Sequence, residues 1–132
     1  MNAPLPHLSK AEWSLMEVLW NESPLSASEV HERVDDEMNL KTVRALLDRI
    51  LGKEAVSREK KHGVWVFRPA IKRDAFVLHE SRTFLDRFFG GDPAPLFAQL
   101  VESEVLTPEK IERLQRLIAA ESDDEKGGRD DH

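Results

Sequence analysis

Ser9-Lys10-Ala11-Glu12 and Ser26-Ala27-Ser28-Glu29 repeat one helix-start signal within the first thirty residues. In each, the serine hydroxyl can satisfy an orphan amide while the glutamate three positions on reaches back to the serine amide. Two starts this close together dictate short helices separated by a tight connection. The first helix carries Trp13, Met16, Leu19 and Trp20 on one face and ends over Asn21 to Pro24. The second carries Val30 and Val34 and closes at the acidic run Asp35-Asp36-Glu37. Asn39 then caps a third helix with a spine of Val43, Leu46, Leu47, Ile50 and Leu51. At about 100° per residue, its opposite face presents Lys41, Arg44, Ala45, Asp48 and Arg49 to solvent.

After Gly52 the period changes. Ala55 to Lys60 reads as a strand, Lys61-His62-Gly63 as a turn, and Val64-Trp65-Val66-Phe67-Arg68 as a β-branched and aromatic strand stopped by Pro69. Three helices followed by a two-stranded hairpin is the order of a winged helix-turn-helix. The expected fold is therefore mainly α, with a small β-hairpin wing.

Charge is concentrated on the same elements. Between Lys41 and Arg73 ten Lys or Arg face three acids, giving +7, while residues 1–40 carry −6 and residues 74–132 carry −7. A basic surface on an acidic protein is the footprint of a chain that grips a polyanion at one place. Other classes find no support. There are no cysteines, hence no disulfide or thiolate metal site. No apolar run approaches the roughly 20 residues of a membrane span, and Met1 to His7 lacks the regions of a signal peptide. A cytoplasmic protein without cofactor or metal is expected. His31 and Asp35 stand four apart, but no further ligand is near them. No nucleophile–base set, Gly-rich phosphate loop or carboxylate pair suggests an enzyme.

The second half is helical again. Val77, Leu78, Phe84, Leu85, Phe88 and Phe89 mark a helix from Asp74 that Gly90-Gly91 terminates. Asp92-Pro93 and Thr107-Pro108 each pair a cap with proline at the first helical position. They open a short helix (Leu96, Phe97, Leu100, Val101) and a last one (Ile111, Leu114, Leu117, Ile118). The division reads as 1–73 a DNA-binding domain, 74–121 a helical dimerisation region and 122–132 a disordered charged tail. The middle segment is too short to bury a core alone. A homodimer through Val77, Phe84, Leu85, Phe88, Leu100, Leu114, Leu117 and Ile118 is the expected solution, since helix-turn-helix proteins commonly pair to read palindromes. Phe84, Phe88 and Phe89 read as dimer core in preference to a small-ligand pocket.

Three stretches carry a family resemblance: Leu8-Ser9-Lys10-Ala11-Glu12-Trp13 with Met16, Val18, Leu19 and Trp20; Lys41-Thr42-Val43-Arg44-Ala45-Leu46-Leu47-Asp48-Arg49-Ile50; and Ser57-Arg58-Glu59-Lys60 through Pro69. Together they resemble the BlaI/MecI penicillinase-repressor family from about Leu8 to Ala120. The resemblance implies a dimeric repressor on a palindromic operator with TACA/TGTA-type half-sites. It also implies inactivation by an integral-membrane metalloprotease sensor that cuts the dimerisation region, with Gln99–Leu100 the corresponding bond. The sequence departs there from the Asn-Phe that members usually carry. It also lacks the cysteine motifs of the copper-responsive branch, and it has Glu54 where a glycine commonly ends the third helix.

In that scheme the third helix enters the major groove. Arg44 is the first candidate for a base edge, since a guanidinium can donate two hydrogen bonds to guanine. Lys41 and Thr42 at the helix start meet phosphate or base through amide, hydroxyl and ammonium. Ala45 can touch a thymine methyl, and Arg49 extends the basic face. Lys60, Lys61 and His62 at the wing tip track phosphate, with Arg58 and Arg68 adding field. The bland alternative makes these residues the solvated side of an amphipathic helix. Trp13 and Trp20 read as core, and Trp65 reads as strand packing before stacking at the wing. Two competing functions stay open: a winged-helix protein–protein module docking an acidic partner, and a regulator that senses a small ligand between its C-terminal helices.

Overall fold

The computed structural model describes residues 5–35 and 37–130. Each of the first three helices begins where its cap stands. Helix α1 (Lys10–Asn21) and helix α2 (Ala27–Arg33), with the two-residue strand β1 (Leu25–Ser26) between them, start on complete capping boxes. Ser9 N–H donates to Glu12 Oε1 at 2.7 Å and Glu12 N–H to Ser9 Oγ at 3.1 Å. The Ser26–Glu29 pair repeats this at 2.9 and 3.2 Å. Helix α3 (Leu40–Gly52) starts on Asn39, whose carboxamide accepts from Thr42 N–H at 2.8 Å.

The end of α3 shows what Glu54 does in place of glycine. Ala55 N–H reaches Ile50 O and Glu54 N–H reaches Leu51 O, the paired bonds of a Schellman motif. That motif requires a left-handed residue, and Glu54 supplies it at φ 63°. The side chain there costs about 1–2 kcal/mol relative to glycine. The buried Ala55 closes the motif against the core.

Strand β2 (Val56–Lys61) and strand β3 (Val64–Pro69) form the wing, joined by His62 and Gly63 at φ 52° and 80°. Positive φ at both central residues is the hairpin geometry that matches strand twist. The sheet has three strands, not the two that the alternation suggests. β1 adds to the free edge of β3 in the antiparallel order β1-β3-β2, with Leu25 opposite Phe67 and Ser26 opposite Val66. Two residues carry no period to read; their strand exists only because β3 offers an edge.

The core of this unit joins Leu15, Met16 and Leu19 of α1, Val30 of α2, Val43, Leu47 and Ile50 of α3, and Phe67 of β3. Phe76 completes it, fully buried on helix α4 (Arg73–Phe89). Its ring sits 6.1 Å from Trp13 and 5.7 Å from Trp20, themselves 5.3 Å apart. Trp20 Nε1–H donates to Ile71 O at 2.9 Å, fixing the segment that leads into α4. Both tryptophans are half-buried and pack against this core, on the side their spacing suggests. The compact units divide between Ser81 and Arg82, inside α4, and not at residue 73. The first turns of α4 belong to the N-terminal unit because Phe76 is spent on its core.

The second unit holds the rest of α4, helix α5 (Pro93–Glu102, capped by Asp92) and helix α6 (Pro108–Asp130). The charged segment from residue 122 continues α6 through Asp130, where the sequence suggests a disordered tail; residues 131–132 lie outside the described residues. Ala119, Ala120 and Glu121 are good helix formers, so the hydrogen-bonded turns before the segment propagate into it.

Candidate nucleic-acid interface

The spine of α3 is inside and its charges are outside, as the periodicity dictates. Val43, Leu46, Leu47 and Ile50 are buried; Lys41, Thr42, Arg44, Ala45, Asp48 and Arg49 are exposed. The wing alternates in the same way. Its register places Arg58 opposite Phe67 and Lys60 opposite Trp65, so Val56, Arg58, Lys60, Trp65 and Phe67 share one face. Glu59, Lys61, Val64, Val66 and Arg68 share the other. The first face looks toward α3. Arg44 and Asp48 of α3, Arg58 and Trp65 of the wing, and Ser26 and Ser28 at the start of α2 line a concavity of about 410 Å³.

Ion pairing divides the basic island into two kinds of cation. Lys53 Nζ lies 2.7 Å from Glu12 Oε1 and also donates to His7 O at 2.9 Å. Arg73 pairs with Glu17 at 2.8 Å. On the outer face of the wing Glu59 holds Arg68 and, at 3.8 Å, Lys61. Arg49 Nε stands 3.8 Å from Glu12 Oε2, which takes no hydrogen bond among the described residues. By contrast, Lys41, Arg44, Arg58, Lys60 and Lys72 have no carboxylate within 4.0 Å among the described residues. Four of these five lie on α3 or on the α3-facing side of the wing. Arg58 stacks 4.1 Å above the Trp65 ring, and Lys60 Nζ lies 5.2 Å from it. Such contacts contribute about 0.5–1 kcal/mol at exposed sites.

Several sequence-named residues have changed roles. Thr42 keeps its place at the start of α3, but Asn39 already occupies its amide. Arg49 is shared between solvent and Glu12. Lys61 turns to Glu59, away from α3. Trp65 is 41% exposed and stacks with cations, contrary to the reading as strand packing. His31 bonds Met38 O through Nε2 at 3.0 Å, steadying the connection between α2 and α3. Val77 lies in the first unit, beside Leu8 and Trp13. Among the other residues named for dimerisation, Phe84, Phe88, Leu117 and Ile118 are exposed, and Leu85, Leu100 and Leu114 half-buried.

Glu12 is the structural residue that the sequence shows only as a cap. Burial opposes its charge, but hydrogen bonds from Lys53 and from Ser9, with the Lys53 charge, hold its carboxyl below the usual 4.5. A lowered folded value stabilises the fold above the ordinary carboxylate range and loses that contribution as pH falls through the folded value. Glu12→Gln is therefore expected to cost about 1–3 kcal/mol at neutral pH, the scale of a charge-assisted hydrogen bond. Urea unfolding should show the gap to wild type closing below pH 4.5. A gap independent of pH would mean that the charge contributes nothing. Glu29 is lowered likewise by Ser26, and that effect cancels in the comparison.

A three-helix unit with a sheet-borne wing defines a winged helix-turn-helix protein, and this one carries uncompensated cations on its third helix and wing. No helix among the described residues is long and apolar enough to cross a membrane. The family model of the penicillinase repressor matches residues 8–120, and the chain belongs to that family. It is 30% identical over 113 residues to the penicillinase repressor of Staphylococcus aureus, covering 84% of this chain and 90% of that one. It is 28% identical over 116 residues to that of Bacillus licheniformis, covering 86% and 91%. The solution structure of the DNA-binding domain of the repressor BlaI matches 52% of this chain and 87% of that domain, at 30% identity and a TM-score of 0.48.

Proposed function

We propose that this chain, a DNA-binding repressor of the penicillinase repressor family, works as a cytoplasmic homodimer on a palindromic operator with TACA/TGTA-like half-sites. Each protomer places α3 in a major groove, and its wing lies along the adjoining backbone. The observation that carries this reading is the set of uncompensated cations Lys41, Arg44, Arg58 and Lys60 on one side of the first unit. A solvated amphipathic face would not gather four of the five uncompensated cations there while Glu12, Glu17 and Glu59 hold Arg49, Lys53, Lys61, Arg68 and Arg73.

Dimerisation is supported by the second unit. None of its described side chains is buried, and Phe84, Phe88, Leu117 and Ile118 are between 44% and 61% exposed. Release of the operator would follow cleavage at Gln99–Leu100 by an integral-membrane metalloprotease. That bond lies within α5, so the protease must unwind a helix of ten residues to reach it.

Arg44→Ala tests the role of α3. Operator affinity, measured by fluorescence anisotropy, should fall by about 1–3 kcal/mol, and the preference at one base position should relax. An equal loss on every duplex would make Arg44 a phosphate contact and leave base reading to its neighbours.

A further inference from the structure

We infer that Trp65 is a DNA-contacting residue: it orients Arg58 toward a backbone phosphate, and the wing meets the duplex with its Arg58–Lys60–Trp65 face. The inference rests on the DNA-binding reading and goes beyond it, because it chooses between the two faces of the wing and assigns a role to an uncharged residue.

The strand register makes the choice possible. By composition Lys61 and Arg68 suit the role as well as Lys60 and Arg58, but they lie on the face where Glu59 pairs with both. A phosphate approaching there meets a carboxylate first. On the opposite face no residue of the wing is acidic, and Arg58 and Lys60 have an indole as their neighbour in place of a carboxylate. An indole leaves a guanidinium's charge and donors intact. It also restricts the side chain's rotamers, so less freedom is lost when a phosphate is bound in the fork. The concavity in front of this stack opens between the wing and α3, so a backbone bordering the groove filled by α3 runs past it. Bases inside a duplex are already stacked, so the ring meets the sugar–phosphate edge. Asp48 lines the same concavity from the α3 side, which places the anion against the wing wall.

The test uses the full chain and a short operator duplex, with duplex affinity and its salt dependence measured for Arg58→Ala, Trp65→Ala, the double variant, Lys61→Ala and Arg68→Ala. Arg58→Ala should weaken binding about tenfold and reduce the salt slope by about 1. Trp65→Ala removes no charge, yet should weaken binding several-fold. The double variant should be no weaker than Arg58→Ala by more than about twofold, the signature of coupled residues. Lys61→Ala and Arg68→Ala remove charges that Glu59 already offsets, so each should weaken binding less than Arg58→Ala does; an equal or larger loss would place the duplex on the other face of the wing and overturn the inference. Thermal unfolding of each variant separates binding from folding. Iodide quenching of the unmodified protein, with Trp65→Phe identifying the Trp65 contribution, should show that emission shielded by duplex. Wild-type affinity for Trp65→Ala at an unchanged unfolding midpoint, or unshielded Trp65 in the complex, would overturn the inference alone. Absence of any duplex binding by the wild-type chain would overturn the DNA-binding reading together with it.

Discussion

Phe76→Ala is expected to destabilise the N-terminal unit by about 3–5 kcal/mol, the range for removing a buried aromatic side chain. Phe76 has no exposed surface, and its ring contacts those of Trp13 and Trp20. Truncation would leave a void beside two rigid indoles, which can close it only by moving. One of them, Trp20, is tethered by its hydrogen bond to Ile71 O. Tryptophan fluorescence during urea unfolding reads the change directly, since the cluster contains Trp13 and Trp20. A loss below about 1 kcal/mol would show that Phe76 is not a core residue, and the first turns of α4 would revert to the second unit. Because marginal domains have only about 5–15 kcal/mol in total, a loss of the expected size threatens the whole unit.

The second large effect concerns pairing. Phe88→Glu combined with Leu117→Glu should give a monomer in sedimentation and lower operator affinity by about a hundredfold or more. Phe88 and Leu117 are 61% and 54% exposed on the second unit, so the substitutions empty no core of this chain. They place charge where a partner's apolar surface is expected, which is costly unless the charge is paired. The affinity effect arises because a dimer makes its second half-site contact at high effective concentration, a gain of about 10²–10⁴ that a monomer forgoes. A variant that remained dimeric would move the interface elsewhere. A monomer that bound the full palindrome as tightly as wild type would remove the need for a dimer.

What could be read in the sequence was local. Ser9, Ser26 and Asn39 act within three residues of themselves, so the helix starts stand where their motifs place them. The buried spine of α3 and the His62-Gly63 turn follow from period and φ preference for the same reason. The missed features depend on distant partners. β1 requires the edge of β3, 40 to 42 residues away. Lys53 and Arg73 look like any other cation of the island until Glu12 and Glu17, 41 and 56 residues away, neutralise them. Phe76 stands outside the apolar set that marks α4 (Val77, Leu78, Phe84, Leu85, Phe88 and Phe89), and no pattern states which unit a helical turn will join. Trp65 was ambiguous because alternation gives two faces without saying which one α3 lies beside. The +7 segment is thus a composite. Part of it holds the fold together, and the remainder, on α3 and the inner face of the wing, is the surface on which the functional reading rests.

Selection of bound duplexes from a random pool by the intact chain, at moderate salt, addresses that reading directly. The expected product is an inverted repeat with half-site centres about 10 bp apart or a multiple of that, as the symmetry of two α3 helices demands. It should be bound at least about 10³-fold more tightly than random duplex. A pool with no enriched sequence, in which random duplex competes as well as any selected one, would contradict a specific DNA-binding repressor.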